Sequence, residues 1–158
     1  MNDPNDPRAT AYHEAGHIVV ARVLGRRVLG ATLRKEGDSN ARASLTDVRP
    51  NQRKRRETDL VVAFAGLYAE RKFLGRDPHP LSALDDMTYI AEEIADLMRN
   101  PRTTRTEEEW KSELADRAKT IVDRNWAAVA MVAEALFENE YLSEGQLRRL
   151  LKDTPFVR

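Results

Sequence analysis

Five residues constrain this chain more than any others. His13-Glu14-Ala15-Gly16-His17 sets two imidazoles four positions apart, with a carboxylate directly after the first. On an α-helix, positions i and i+4 share a face, so both rings can reach one metal ion and the glutamate can reach a water beside it. The 158 residues include three histidines, and two of them lie in this motif. The pattern predicts a helix across the motif and a zinc ion held by His13 and His17. Glu14 is then the expected general base.

The sequence has no cysteine, which excludes disulfides and thiolate metal ligands, so zinc here takes nitrogen and oxygen donors. Twenty-six basic residues balance 26 acidic ones, which gives no support to a nucleic-acid or membrane-surface role. The densest positive run, Arg53-Lys54-Arg55-Arg56, has no interleaved aromatics and reads as a solvated helix start. The polar N-terminus, with Pro4 and Pro7, lacks the pattern of a secretory signal. The longest nearly apolar run, residues 61–69, is far short of the ~20 residues that span a bilayer. The expectation is one domain over residues 1–158, flexible over 1–7, in the cytoplasm and with no membrane span.

The periodicity predicts a mainly α fold. A first helix starts near Pro7 or Arg8 and ends at Gly25. Gly16 costs that helix about 1 kcal/mol relative to alanine, which points to a close neighbour. Leu29, Ala31 and Leu33 alternate as in a strand. Residues 43–48 form a weaker second strand beyond the polar turn Gly37-Asp38-Ser39-Asn40, giving a small two-stranded β element. A helix over 57–74, closed by Gly75, is apolar almost all round and should be central. After the rigid connector Asp77-Pro78-His79-Pro80, a third helix over 83–98 carries the stripe Met87, Ile90, Ala91, Ile94, Leu97 and Met98. A long helix over 107–138, broken near Asn125, and a short one over 143–151, capped by Ser143, complete the chain.

A catalytic zinc usually has three protein ligands and an open position. A histidine six residues after the second ligand is absent, because position 23 is valine. The remaining candidates are Asp85, Asp86, His79 and several glutamates. Ser82-Ala83-Leu84-Asp85 fits a capping box that would occupy Asp85 and leave Asp86 for the metal. Spacing alone leaves the two aspartates nearly even.

Several segments, in order, resemble one family. Thr10-Ala11-Tyr12-His13-Glu14-Ala15-Gly16-His17 resembles the start of the peptidase domain of FtsH-type, AAA-linked zinc proteases. Ala65-Gly66-Leu67-Tyr68-Ala69-Glu70 is similar to that family's A-G-R-A-A-E segment, and Ser82-Ala83-Leu84-Asp85-Asp86 to its G-A-S-N-D segment. Residues 133–142 resemble its late helix. The resemblance implies a compact, helical, zincin-like metallopeptidase domain with Zn2+ held by His13, His17 and Asp86. It raises Asp86 above Asp85, although the helix register after Asp86 is one residue longer than the family's. Glu70 then becomes a candidate to orient a ligand imidazole. It also favours residues 29–34 as a strand edge on which substrate pairs. The family's arginine is Leu67 here, and its ATPase and membrane segments have no counterpart in these residues. The implied activity is zinc-dependent cleavage of unfolded or extended polypeptides, with a separately encoded ATPase or partner as one way of supplying them. The alternative is a catalytically silent, metal-containing protein-binding or regulatory module.

Overall fold

The first helix follows from its ends. Pro7 supplies a pre-set φ at the first helical position, and the Asp6 side chain accepts from Arg8 N, so α1 runs Pro7–Val23. Gly25, at φ +81°, then turns the chain in a conformation that side chains resist. The computed structural model describes residues 6–33, 42–45, 52–78 and 80–158. The expected turn at 37–40, residues 46–48 of the second strand, His79 and the N-terminal five residues lie outside the described residues. So do the side chains of Arg53, Lys54 and Ser82.

The remaining elements are β1 (Val28–Thr32), β2 (Arg42–Leu45), α2 (Gln52–Leu74), α3 (Pro80–Met98), α4 (Glu107–Arg124), α5 (Trp126–Asn139), β3 (Tyr141–Ser143) and α6 (Glu144–Leu150). The chain is mainly helical, as its periodicity predicts. The expected antiparallel pair is present as β1 and β2, with Ala31 opposite Ala43. A third short strand, β3, pairs antiparallel along the other side of β1, with Ala31 opposite Leu142, so the order is β2-β1-β3.

α2 begins five residues before its expected start, which puts the basic run inside its first turns. Arg55 lies 3.6 Å from Asp59 one turn on, and Arg56 pairs with Asp96 of α3. The run therefore includes ion pairs that join helices. α3 likewise begins at Pro80, two residues before Ser82, so Ser82 lies within the helix and is not its N-cap. The long helix is interrupted where expected, at Asn125. Asn125 is buried and holds three segments together. Its Nδ2 donates to the Ile121 and Val157 carbonyls at 2.8 and 2.6 Å, and its Oδ1 accepts from Val157 N at 2.9 Å. Capping boxes at Thr106 and Ser143 start α4 and α6.

One apolar cluster unites these elements, with Ile18 and Val19 of α1, Leu60 of α2, Ile94 of α3, Trp110 of α4 and Leu136 of α5 at its centre. α1 lies between α2 and α5. Tyr12 fixes its rotation by stacking on Phe73 (4.2 Å) and Trp126 (5.5 Å), and its hydroxyl donates to Glu134. The neighbouring residue is His13. Of the stripe expected on α3, Ile90, Ile94 and Leu97 are buried, whereas Met87, Ala91 and Met98 are exposed. The sequence merges two faces of that helix because methionine and alanine are tolerated on either side of a surface helix.

Candidate metal centre

Three helices bring the site together. α1 contributes His13, Glu14 and His17, α2 lies behind them, and α3 brings Asp86 across from 73 residues away. Helical spacing sets the two rings side by side, with centroids 4.7 Å apart and planes nearly perpendicular. Two glycines permit this approach. A Cβ on Gly16 would lie 2.6 Å from the Ala65 carbonyl oxygen and 2.7 Å from Ala69 Cβ. Gly16 therefore has the close neighbour that its helix-breaking cost implies. A Cβ on Gly66 would meet three atoms of the His17 ring at 2.3–2.8 Å, so Gly66 forms the floor under that ring.

Each imidazole is oriented through its Nδ1. His13 Nδ1 donates to Glu70 Oε2 at 2.7 Å. His17 Nδ1 lies 2.7 Å from the Val62 carbonyl, which can only accept, so this nitrogen carries the proton. Both Nε2 atoms then face one point. Asp86 Oδ2 lies 2.6 Å from His13 Nε2 and 3.3 Å from His17 Nε2. A Glu14 carboxylate oxygen lies within 4.8 Å of ring nitrogens of both histidines. His13, Glu14 and Glu70 are buried, while Asp86 and His17 are partly open to solvent. Asp85 is exposed and is not among the residues that meet at the imidazoles. The structure thus brings together His13, Glu14, His17, Glu70 and Asp86.

The charges agree with the geometry. Burial opposes protonation of His13, but hydrogen bonds to Asp86 and Glu70, with the Glu14 charge nearby, outweigh it and push the pKa up to about 10. Burial also opposes ionisation of Asp86, yet its bonds to the two histidines hold it well below the usual carboxylate range.

These donors fit a zinc ion. A tetrahedral zinc with bonds of about 2.0–2.1 Å sets its ligand atoms roughly 3.3 Å apart. The His17–Asp86 separation of 3.3 Å matches that edge, and the 2.6 Å between His13 and Asp86 is a hydrogen-bond length bridged by the His13 proton. Two neutral-capable imidazoles, one carboxylate and orienting acceptors behind both rings are donors of the kind a zinc ion takes.

Two contributors escape the sequence reading. A backbone carbonyl, Val62, has no signature in residue type. Gly66 does have one, a glycine inside an apolar helix, of the same kind as Gly16. The strand 29–34 differs from its expected role. β1 is paired on both sides over Gly30–Thr32, and Leu33 N donates to Glu140 O, so the outer edges of the described sheet belong to β2 and β3. Among the described residues, no helix is long and apolar enough to cross a membrane. No protein-family model matches this chain, and no curated protein matches it.

Proposed function

We propose that this chain is a zinc-dependent endopeptidase with a zincin-like fold that hydrolyses unfolded or extended polypeptides. One observation carries the reading: both His Nε2 atoms converge on the Asp86 carboxylate, with a Glu14 oxygen within 4.8 Å of the ring nitrogens. A purely structural site has little need of a fourth, carboxylate group in that position. The ordered resemblance to FtsH-type peptidase segments supports the same conclusion.

When bound, zinc supplies a Lewis acid that polarises the scissile carbonyl and lowers the pKa of water. His13, His17 and Asp86 would hold the ion, and Glu70 and the Val62 carbonyl fix the two ring orientations. Glu14 accepts the proton of the attacking water and returns it to the leaving amine. Because β1 is paired on both sides, a substrate added as a strand pairs with an outer edge of the sheet.

The test combines metal content with cleavage. The purified chain should hold about one zinc per molecule and cut an unfolded casein-like substrate. Glu14→Gln should retain the zinc and lose about 10²–10⁴-fold in rate. Zinc without Glu14-dependent cleavage of varied unfolded substrates would transfer the site to a binding or regulatory module. Failure to take up zinc after supplementation would remove both readings.

A further inference from the structure

Asn125 stands between α4 and α5, yet most of its side chain serves another part of the chain. The residue is 4% exposed. Its Nδ2 donates to the Ile121 carbonyl, which also accepts from Asn125 N, so the side chain enters the helical ladder where the helix breaks. The rest of the amide pairs with both backbone groups of Val157. Nδ2 donates to the Val157 carbonyl at 2.6 Å, and Oδ1 accepts from its N–H at 2.9 Å. This pair reads backbone and not side chain, for Val157 is 47% exposed. A buried amide left without such partners costs far more than the pair gains at the surface.

Val157 belongs to the segment 154–158, beyond α6, and this segment has a second hold. Arg158 Nε donates at 3.3 Å to the carbonyl of Val23, the last residue of α1. The Arg158 carbonyl in turn accepts from Arg124, and Phe156 packs against the core. The first hold reaches α1 as well. Trp126, the neighbour of Asn125, stacks on Tyr12 with ring centroids 5.5 Å apart. Tyr12 immediately precedes His13. The two holds therefore bracket α1, one at Tyr12 and one at Val23, and His13 and His17 lie between them.

From this arrangement we infer that residues 154–158 are a clasp that sets the position of α1, and with it the placement of the His13 and His17 rings. Asn125 is then a positioning residue that acts through Trp126 and Tyr12. The close contact of Gly16 with Ala65 and Ala69 gives α1 a fixed point on α2, and the clasp sets its rotation about that point. Pro155, Val157 and Arg158 are exposed, so the clasp rests on Phe156 and the Asn125 pair. It opens more easily than the helices it holds, because little apolar surface is buried beneath it. The inference concerns how the two rings are placed, and it stands apart from the chemistry proposed for them.

Amide hydrogen exchange and histidine NMR on the metal-free full chain test this, and neither readout needs zinc or cleavage. In the wild type the Val157 N–H should exchange at least about tenfold more slowly than an open amide, although the residue is exposed. Val157→Ala keeps the backbone pair and should change nothing. Val157→Pro removes the N–H that Asn125 accepts. It should speed exchange along the last turn of α1 about tenfold and shift the Cε1–H signals of His13 and His17, with the circular dichroism unchanged. Arg158→Ala removes the Val23 hold alone and should move the same signals by less, so it carries the test if the proline variant does not fold. An unprotected Val157 amide in the wild type overturns the clasp. Val157→Ala behaving like Val157→Pro overturns the reading of backbone by Asn125. Histidine signals that stay in place in the folded variants that lose a hold overturn the link to α1.

Discussion

Gly66→Ala should remove zinc binding and leave the fold standing. The added methyl would lie 2.3, 2.4 and 2.8 Å from three atoms of the His17 ring, which are its three nearest neighbours. The ring is tied to the Val62 carbonyl at 2.7 Å, so it yields by breaking that bond and turning Nε2 away from Asp86. The lost hydrogen bond costs about 1 kcal/mol and the repacking about 1–3 kcal/mol. Replacing glycine by alanine inside a helix returns about 1 kcal/mol, for a net loss of about 1–3 kcal/mol. Metal affinity suffers far more. Disturbing an orienting partner alone costs about 10–100-fold, and here the ligand itself is displaced, so zinc should bind at least about 100-fold more weakly. Gly16→Ala is the contrasting case. Its clashes, at 2.6 and 2.7 Å, are with the Ala65 carbonyl oxygen and Ala69 Cβ, which cannot rotate away. α1 and α2 must part, and the loss should reach about 3 kcal/mol or more. Zinc competition against a chelating dye, with urea unfolding of the metal-free proteins, separates the two effects. A folded Gly66→Ala protein that binds zinc within about threefold of wild type would refute the seat assigned to His17.

Three further outcomes are expected. Glu70→Gln should weaken zinc binding about 10–100-fold, because Glu70 orients His13 through Nδ1; unchanged affinity in the dye competition would contradict that role. The pKa of His13 is raised from 6.5 to about 10, so the metal-free protein holds this proton at neutral pH, gains stability from it below 6.5 and loses that stability as pH rises through about 10. Zinc uptake near pH 8 should therefore release about one proton, measurable by calorimetry in buffers of different ionisation enthalpy, and zero release would contradict the His13 assignment. Burial works against ionisation of Asp123, yet Lys72, Lys119 and Tyr68 lower its pKa from 3.8 to about 2. Its stabilisation is present above 3.8 and lost as pH falls through about 2, so Asp123→Asn should flatten that part of the acid unfolding curve.

Much of the site was legible because its chemistry is local. His13, Glu14 and His17 lie within five residues on one helix, and helical geometry alone brings them together. Asp86 is harder, since the apparent capping box at Ser82 and Asp85 places the helix start at residue 83, three residues after the actual start at Pro80. α3 begins at Pro80, and Asp86, not the exposed Asp85, turns toward α1. β3 is three residues long, too short for alternation to register, and it is specified by its partner β1. The Val157 contacts of Asn125 were likewise invisible, because a buried amide is identified by what surrounds it and not by its neighbours in sequence. The two faces of α3 could not be told apart from a period that both obey.

Asp86 sits in the second turn of α3, 73 positions from His13, and this contact closes a long stretch of chain. An ion held there acts as a staple across that stretch, and its binding free energy becomes part of what keeps the start of α3 in place. Chelation should therefore loosen the molecule unevenly. Amide hydrogen exchange ought to quicken first along residues 80–90, while the centre of α2, enclosed by the core, keeps its protection.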